Sequence, residues 1–200
     1  MWYRRFGKRL LDVVGAGVGL VVLSPFFAVI AAWIKLHDGG PVFFRQVRVG
    51  KGGRLFRIYK FRTMVVDAER MGLQLTTGKD PRITPVGRFL RKYKLDELPQ
   101  LINVLKGEMS LVGPRPEVPR YVEAFSKEYA KILQTRPGIT DYAAIEYRDE
   151  NTLLDGADDP EKMYLEVVLP EKIKYYHMYL RRMSLKTDIM LIFKTIAGKK

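Results

Sequence analysis

Two adjacent carboxylates, Asp96 and Glu97, carry the chemistry this chain most needs to place. A carboxylate kept ionised can serve as a metal ligand, a nucleophile or a plain helix cap. The apolar positions Leu95, Leu98, Leu101, Ile102 and Leu105 recur at helical spacing and predict a helix. Asp96 is expected as its N-cap, Pro99 in its first turn and Lys106-Gly107 as its stop. The acids would then sit at the positive end of the helix, which lowers carboxylate pKa values and attracts phosphate.

Cations surround the pair in sequence. In Gly113-Pro114-Arg115-Pro116-Glu117 each proline restricts its neighbour, so Arg115 stands on a rigid extended backbone. Its planar donor fork matches phosphate. Thr84-Pro85 starts a helix whose basic positions, Arg88, Arg91, Lys92 and Lys94, lead directly into Asp96. Lys60 and Arg62 alternate onto one face of a predicted strand with Phe56 and Ile58. The pattern suits a metal–diphosphate substrate, and it also suits a salt-bridge network.

The 200 residues allow one ordinary domain with a core. Without cysteine, disulfides and thiolate metal sites are excluded, and two histidines make zinc an improbable cofactor. A formal charge of +13 points to a polyanionic partner: nucleic acid, anionic lipid or phosphorylated substrates.

From Val13 to Ile34 no residue is charged, a run long enough to span a bilayer. Ser24-Pro25 lies near its middle, where proline removes a helix hydrogen bond, and Ser24 can bond a carbonyl so freed. Basic residues flank both ends, which by the positive-inside rule keeps both in the cytoplasm. A helix that breaks at Ser24-Pro25 and returns to the same face satisfies both facts. A kinked single-pass anchor is the alternative.

Further along, Val42–Val49 and Arg54–Phe61 read as a hairpin around Gly50-Lys51-Gly52-Gly53. Helices are expected over 65–75, over 118–133, from Asp159-Pro160, over 171–182 with Pro170 as an interruption, and after Ser184. Residues 76–83 and 151–159 read as loops. The stretch 139–147 reads as strand or irregular chain. The expected fold is α/β, mostly helical with a small β-hairpin, an N-terminal membrane helix and amphipathic surface helices. Residues 1–37 form the membrane helix and 38–200 the catalytic domain, as one integrated unit.

In order along nearly the whole chain, several stretches resemble the bacterial sugar transferase family, the small monotopic phosphoglycosyl transferases. They are Lys8-Arg9-Leu10-Leu11-Asp12, Ser24-Pro25, Gly40-Pro41-Val42-Phe43-Phe44-Arg45-Gln46 and Tyr59-Lys60-Phe61-Arg62-Thr63-Met64. Leu95-Asp96-Glu97-Leu98-Pro99-Gln100, Gly113-Pro114-Arg115-Pro116 and Arg136-Pro137-Gly138-Ile139-Thr140 complete the set. Where many members continue Gly-Leu-Ala-Gln-Val, this chain reads Asp141-Tyr142-Ala143-Ala144-Ile145.

The resemblance implies transfer of a phosphosugar from a UDP-sugar to polyprenol (undecaprenyl) phosphate at the cytoplasmic face of the bacterial inner membrane. The products would be UMP and a polyprenol diphosphate sugar, and Mg²⁺ would be required. It implies the re-entrant form of the membrane helix, broken at Ser24 and Pro25. It makes Asp96 the nucleophile and Glu97 its partner acid, with the metal on the same pair. Lys60, Arg91 and Arg115 match its cationic positions, and Arg62 and Arg136 are assigned to phosphate with them. The expected partners are the UDP-sugar, the lipid phosphate and the bilayer; a homodimer is left open. A non-catalytic, membrane-anchored polyanion binder is the alternative, but two acids have little purpose on such a surface. Nucleic acid is therefore not an expected partner.

Overall fold

The computed structural model describes residues 3–68, 71, 80–148 and 150–198. The chain opens with helix α1 (Lys8–Asp38), preceded by a wide π-type turn over Tyr3–Gly7. Strands β1 (Phe43–Val49) and β2 (Leu55–Phe61) form the expected antiparallel hairpin, closed by a 3-10 turn at Lys51–Gly53. Helix α2 (Pro85–Lys92), a 3-10 turn at Leu95–Glu97 and helix α3 (Gln100–Lys106) follow. Strand β3 (Ser110–Val112) pairs in parallel with β4 (Gly138–Thr140), and α4 (Pro119–Ala124) and α5 (Ser126–Ile132) lie between them. The remainder is helical: α6 (Tyr142–Glu146), α7 (Glu150–Asp155), α8 (Pro160–Met163), α9 (Leu169–Arg182) and α10 (Leu185–Ala197).

Helix α1 lies along the rest of the protein. Ala16 is buried with Phe56, Leu101 and Val104, and Ile30 and Ile34 are buried with Phe61, Val86 and Leu90. At its start Lys8 Nζ donates to the Val112 carbonyl (2.8 Å) and to Asp188 (2.7 Å). Asp12 accepts from Ser110 Oγ (2.8 Å) and Leu111 N–H (2.9 Å). The opposite side, including Leu10, Val14, Val18, Val21, Val29 and Leu36, is an exposed apolar stripe. A helix facing water carries polar residues on its outer side, so this exposed face is consistent with membrane association.

The helix runs through Ser24-Pro25 without interruption, unlike the expected break. Pro25 has no N–H for the Val21 carbonyl. Ser24 Oγ donates to that same oxygen at 2.8 Å, so the orphaned acceptor is satisfied locally.

Several boundaries differ from the sequence reading. The helix expected over 118–133 is two, α4 and α5, separated at Phe125. Residues 151–155, the first part of the loop expected over 151–159, are helical as part of α7. Pro170 does not break its helix; it sits in the first turn of α9, after a π-type turn at Tyr164–Val168 that absorbs the irregularity. The open stretch 139–147 divides into β4 and α6. Most of the helix expected over 65–75 falls outside the described residues; in the described part, Met64 bridges Ile83 and a turn follows. The loop expected at 76–83 is described only from residue 80.

Candidate active site

Four segments converge on Asp96 and Glu97. Helix α2 starts as expected: Thr84 Oγ1 accepts from Gly87 N–H at 2.9 Å, with Pro85 at the first position. A Cβ at Gly87 would lie 1.9 Å from the Thr63 carbonyl oxygen, so only glycine lets α2 close on the strand end. That approach puts Arg91 beside Thr63, where Nε donates to Oγ1 at 2.9 Å. Lys94 then adopts a left-handed conformation (φ 56°), unusual for a side chain with a Cβ, and turns the chain into the Leu95–Glu97 turn.

Asp96 is not the N-cap of α3, as the sequence predicted. It lies inside the 3-10 turn, and Pro99 takes the capping position. The stop is as expected, with Gly107 left-handed at the C-cap of α3. The apolar spacing from Leu95 to Leu105 fits either reading, because a 3-10 turn leading into an α-helix keeps nearly the same face.

The two acids live in different surroundings. Glu97 Oε1 accepts from Lys60 Nζ (2.8 Å) and from Arg115 Nη2 (2.6 Å), and its Oε2 faces Arg115 Nη1 at 3.3 Å. Burial pushes Glu97 up, but Arg115 and Lys60 outweigh it and hold the group well below the ordinary glutamate range. Asp96 is buried, with 7% of its surface exposed, and no side-chain hydrogen bond reaches it among the described residues. Burial, and then the charge of Glu97, raise its pKa against the pull of Lys60, Arg91 and Lys94. The helix-end logic that would lower both groups therefore fails for Asp96.

Lys60 arrives on the buried face of β2, together with Phe56 and Ile58. Arg115 is held by a strap. A Cβ on Gly138 would fall 2.0 Å from Gly113 N, and Gly138 N–H donates to the Pro114 carbonyl at 2.9 Å. The two glycines thus let the Pro114-Arg115-Pro116 segment press against β4.

Lys60, Arg91, Arg115, Asp96 and Glu97 are brought together; Arg62 and Arg136 are not. Arg62 is buried, with its guanidinium paired to both oxygens of Asp38 and bonded to the Pro41 and Met64 carbonyls. That pairing fastens the end of α1 to the strand and leaves no fork for a substrate. Arg136 donates Nε to the Gly107 carbonyl at 2.7 Å, at the far end of α3 from the acids.

Sequence reasoning missed a second layer. Arg48 reaches Glu117 (3.6 Å) and the Pro116 carbonyl (3.1 Å); Glu117 accepts from Tyr164 and lies 3.9 Å from Lys172, which pairs with Glu150 at 2.9 Å. These groups back the Arg115 strap. Glu117 was visible beside Pro116, but its partners come from distant segments with no shared motif. Asp141, the position that departs from many members, caps α6 by accepting from Ala144 N–H (2.7 Å). It is buried and its second oxygen is unpartnered; burial pushes it up to about 6.

Among the described residues no group of three or more His, Cys, Asp or Glu forms a metal cluster. A carboxylate pair with one free member still fits Mg²⁺, which uses one or two carboxylates and takes its other ligands from phosphates and water.

The bacterial sugar transferase family model matches residues 3–199. A UDP-N-acetylgalactosamine-undecaprenyl-phosphate N-acetylgalactosaminephosphotransferase of Aeromonas hydrophila is 41% identical over 196 residues, 96% of this chain and 43% of that protein. The Escherichia coli UDP-glucose:undecaprenyl-phosphate glucose-1-phosphate transferase is 38% identical over 96% of this chain and 40% of its own length. The exopolysaccharide production protein ExoY of Sinorhizobium fredii is 35% identical over 94% of this chain and 83% of its own. The chain thus spans less than half the length of the first two and most of the third. With the motifs, the buried acid pair and a match over nearly every residue, the chain belongs to the bacterial sugar transferase family.

Proposed function

We propose that this protein transfers a sugar phosphate from a UDP-sugar to undecaprenyl phosphate at the cytoplasmic face of the bacterial inner membrane, through a covalent intermediate on Asp96. The observation that carries the reading is the asymmetry of the two acids: Glu97 is bound by two cations, while Asp96 is buried and, among the described residues, free of side-chain hydrogen bonds. A carboxylate without hydrogen-bond partners keeps its lone pairs for attack.

An Asp96 oxygen attacks the sugar-bearing phosphorus, and the bond from that phosphorus to the oxygen of the UMP phosphate breaks. UMP leaves with the electron pair. An oxygen of the lipid phosphate then attacks the same phosphorus and the bond to Asp96 breaks, restoring the carboxylate. Lys60 and Arg115 orient Glu97 and set a positive field over the diphosphate, and Arg91 faces Asp96. When bound, Mg²⁺ held by Asp96 and Glu97 would neutralise diphosphate charge and stabilise the leaving UMP.

The membrane arrangement follows the same reading. Both ends of α1 pack on one body, and its free side is apolar, which supports entry and exit on one face rather than a span. Exposed Trp33, Phe89 and Tyr93 pack with tilted rings at the α1–α2 junction, and interfacial aromatics are favoured at a membrane surface.

Protein incubated with UDP-sugar and no lipid should release UMP and gain a phosphosugar mass on the peptide holding Asp96. Release without an adduct removes the covalent step. Cysteines placed at Phe6 and His37 should label from the same side of closed vesicles; opposite sides would mean a single-pass anchor.

A further inference from the structure

A cavity of about 950 Å³ opens at the end of α3 remote from the two acids. The seven residues of α3 set the two regions about 10 Å apart along its axis. The cavity wall is strongly basic. Arg4 and Arg9 come from the start of the chain, Lys51 from the hairpin turn, Lys131 and Arg136 from α5 and beyond, and Arg181 from α9. Among the described residues none of these six forms an ion pair with a carboxylate. Lys8 also lines the wall and is neutralised by Asp188. Among the described residues the only acid in the wall is Asp12, and its Oδ1 already accepts two hydrogen bonds.

The arginines are braced rather than loose. Arg9 donates to the Val104 (2.7 Å) and Leu105 (2.9 Å) carbonyls and Arg136 to Gly107, all at the C-terminal end of α3. Arg4 donates to the Leu180, Arg181 and Met183 carbonyls at the end of α9. Two helix C-termini orient these guanidinium groups and leave donors over. Gathering six like charges costs stability, and an anion in their midst removes that cost.

We propose that this cavity binds a phosphate group separately from the reaction site, and that the phosphate is the headgroup of an anionic phospholipid. The lipid source follows from the apolar residues near Arg4 and Arg9 in the chain. Phe6 and Leu10 are 65% and 62% exposed on the same turns that carry Arg4 and Arg9. They begin the apolar stripe of α1, along which acyl chains would lie. A soluble phosphate compound shares the headgroup chemistry but has no use for that stripe.

The test uses the full chain in detergent micelles, titrated with phosphatidylglycerol, phosphatidylcholine or inorganic phosphate and read by native mass spectrometry. The variant K51E/K131E/R181E changes exposed residues that hold no other element in place. A control triple, R54E/K127E/K162E, carries the same charge change elsewhere. Phosphatidylglycerol should bind the parent and the control, with at least about tenfold weaker binding to the cavity variant, since each cation near an anionic lipid contributes of order 1 kcal/mol. Phosphatidylcholine should show no such preference. Phosphate binding that is lost in the cavity variant, with no gain for phosphatidylglycerol, would overturn the lipid source. Equal loss in both variants, or in neither, would overturn the site.

Discussion

Two buried charge clusters lie at opposite ends of α3, and they are built to opposite rules. At the start of α1, Asp188 accepts from Lys8, Tyr3 and Tyr179, Asp12 accepts from Ser110 and Leu111, and Lys8 also reaches the Val112 carbonyl. Each charge there is answered by a partner, as in a structural lock. At the other end Glu97 is answered twice and Asp96, among the described residues, by no side-chain hydrogen bond. The difference separates a fastening, which uses up its lone pairs, from a buried group that keeps them, as the proposed reaction requires of Asp96.

The sharpest break in that comparison is Asp96→Asn. It keeps the shape and removes the proposed nucleophile, so turnover should fall by about four orders of magnitude or more while thermal stability changes little. Near-parental turnover would end the assignment. Asp188→Ala should do the reverse. Removing one partner of a buried pair costs about 3–5 kcal/mol, visible as a lowered melting temperature, with turnover per folded molecule retained. Arg115→Ala tests the second acid. Loss of a pre-aimed cation costs about a hundredfold to a thousandfold in turnover, and unchanged kinetics would place Arg115 outside the site.

The smallest effect concerns Asp141. Its pKa in the folded protein is about 6, against 3.8 ordinarily. A raised pKa contributes stability that is full at low pH and is lost as pH rises through the folded value. Going from pH 7 to pH 5, the parent should therefore gain about 1 kcal/mol relative to Asp141→Asn. Melting curves of the two proteins that shift in parallel between those pH values would show that Asp141 titrates normally.

Much of this frame is readable along the chain because it is set by neighbours in sequence. Thr84-Pro85, Asp159-Pro160 and Ser184 each cap a helix through the expected side-chain oxygen, and the glycine-rich turn closes the hairpin. Alternation on β2 correctly turns Lys60 inward. The same alternation misleads for Arg62, because its partner Asp38 comes from the end of α1 and no periodicity encodes that meeting. The position of Asp96 depends on one backbone angle at Lys94, a lysine where a turn signal would be glycine or asparagine. The basic cavity draws its cations from four stretches of chain, each an ordinary solvated charge when read alone.

The packing of α1 bears on how this protein can be handled. A membrane anchor on a tether can be cut away to leave a soluble enzyme. Here α1 supplies Ala16, Ile30 and Ile34 to the interior, and Asp38 holds Arg62 in place. Removing it would open two apolar clusters to water and strand a buried guanidinium. Solubility has to be sought instead on the exposed apolar stripe, by exchanging Leu10, Val14, Val18, Val21 and Val29 for polar residues while the inward face stays as it is.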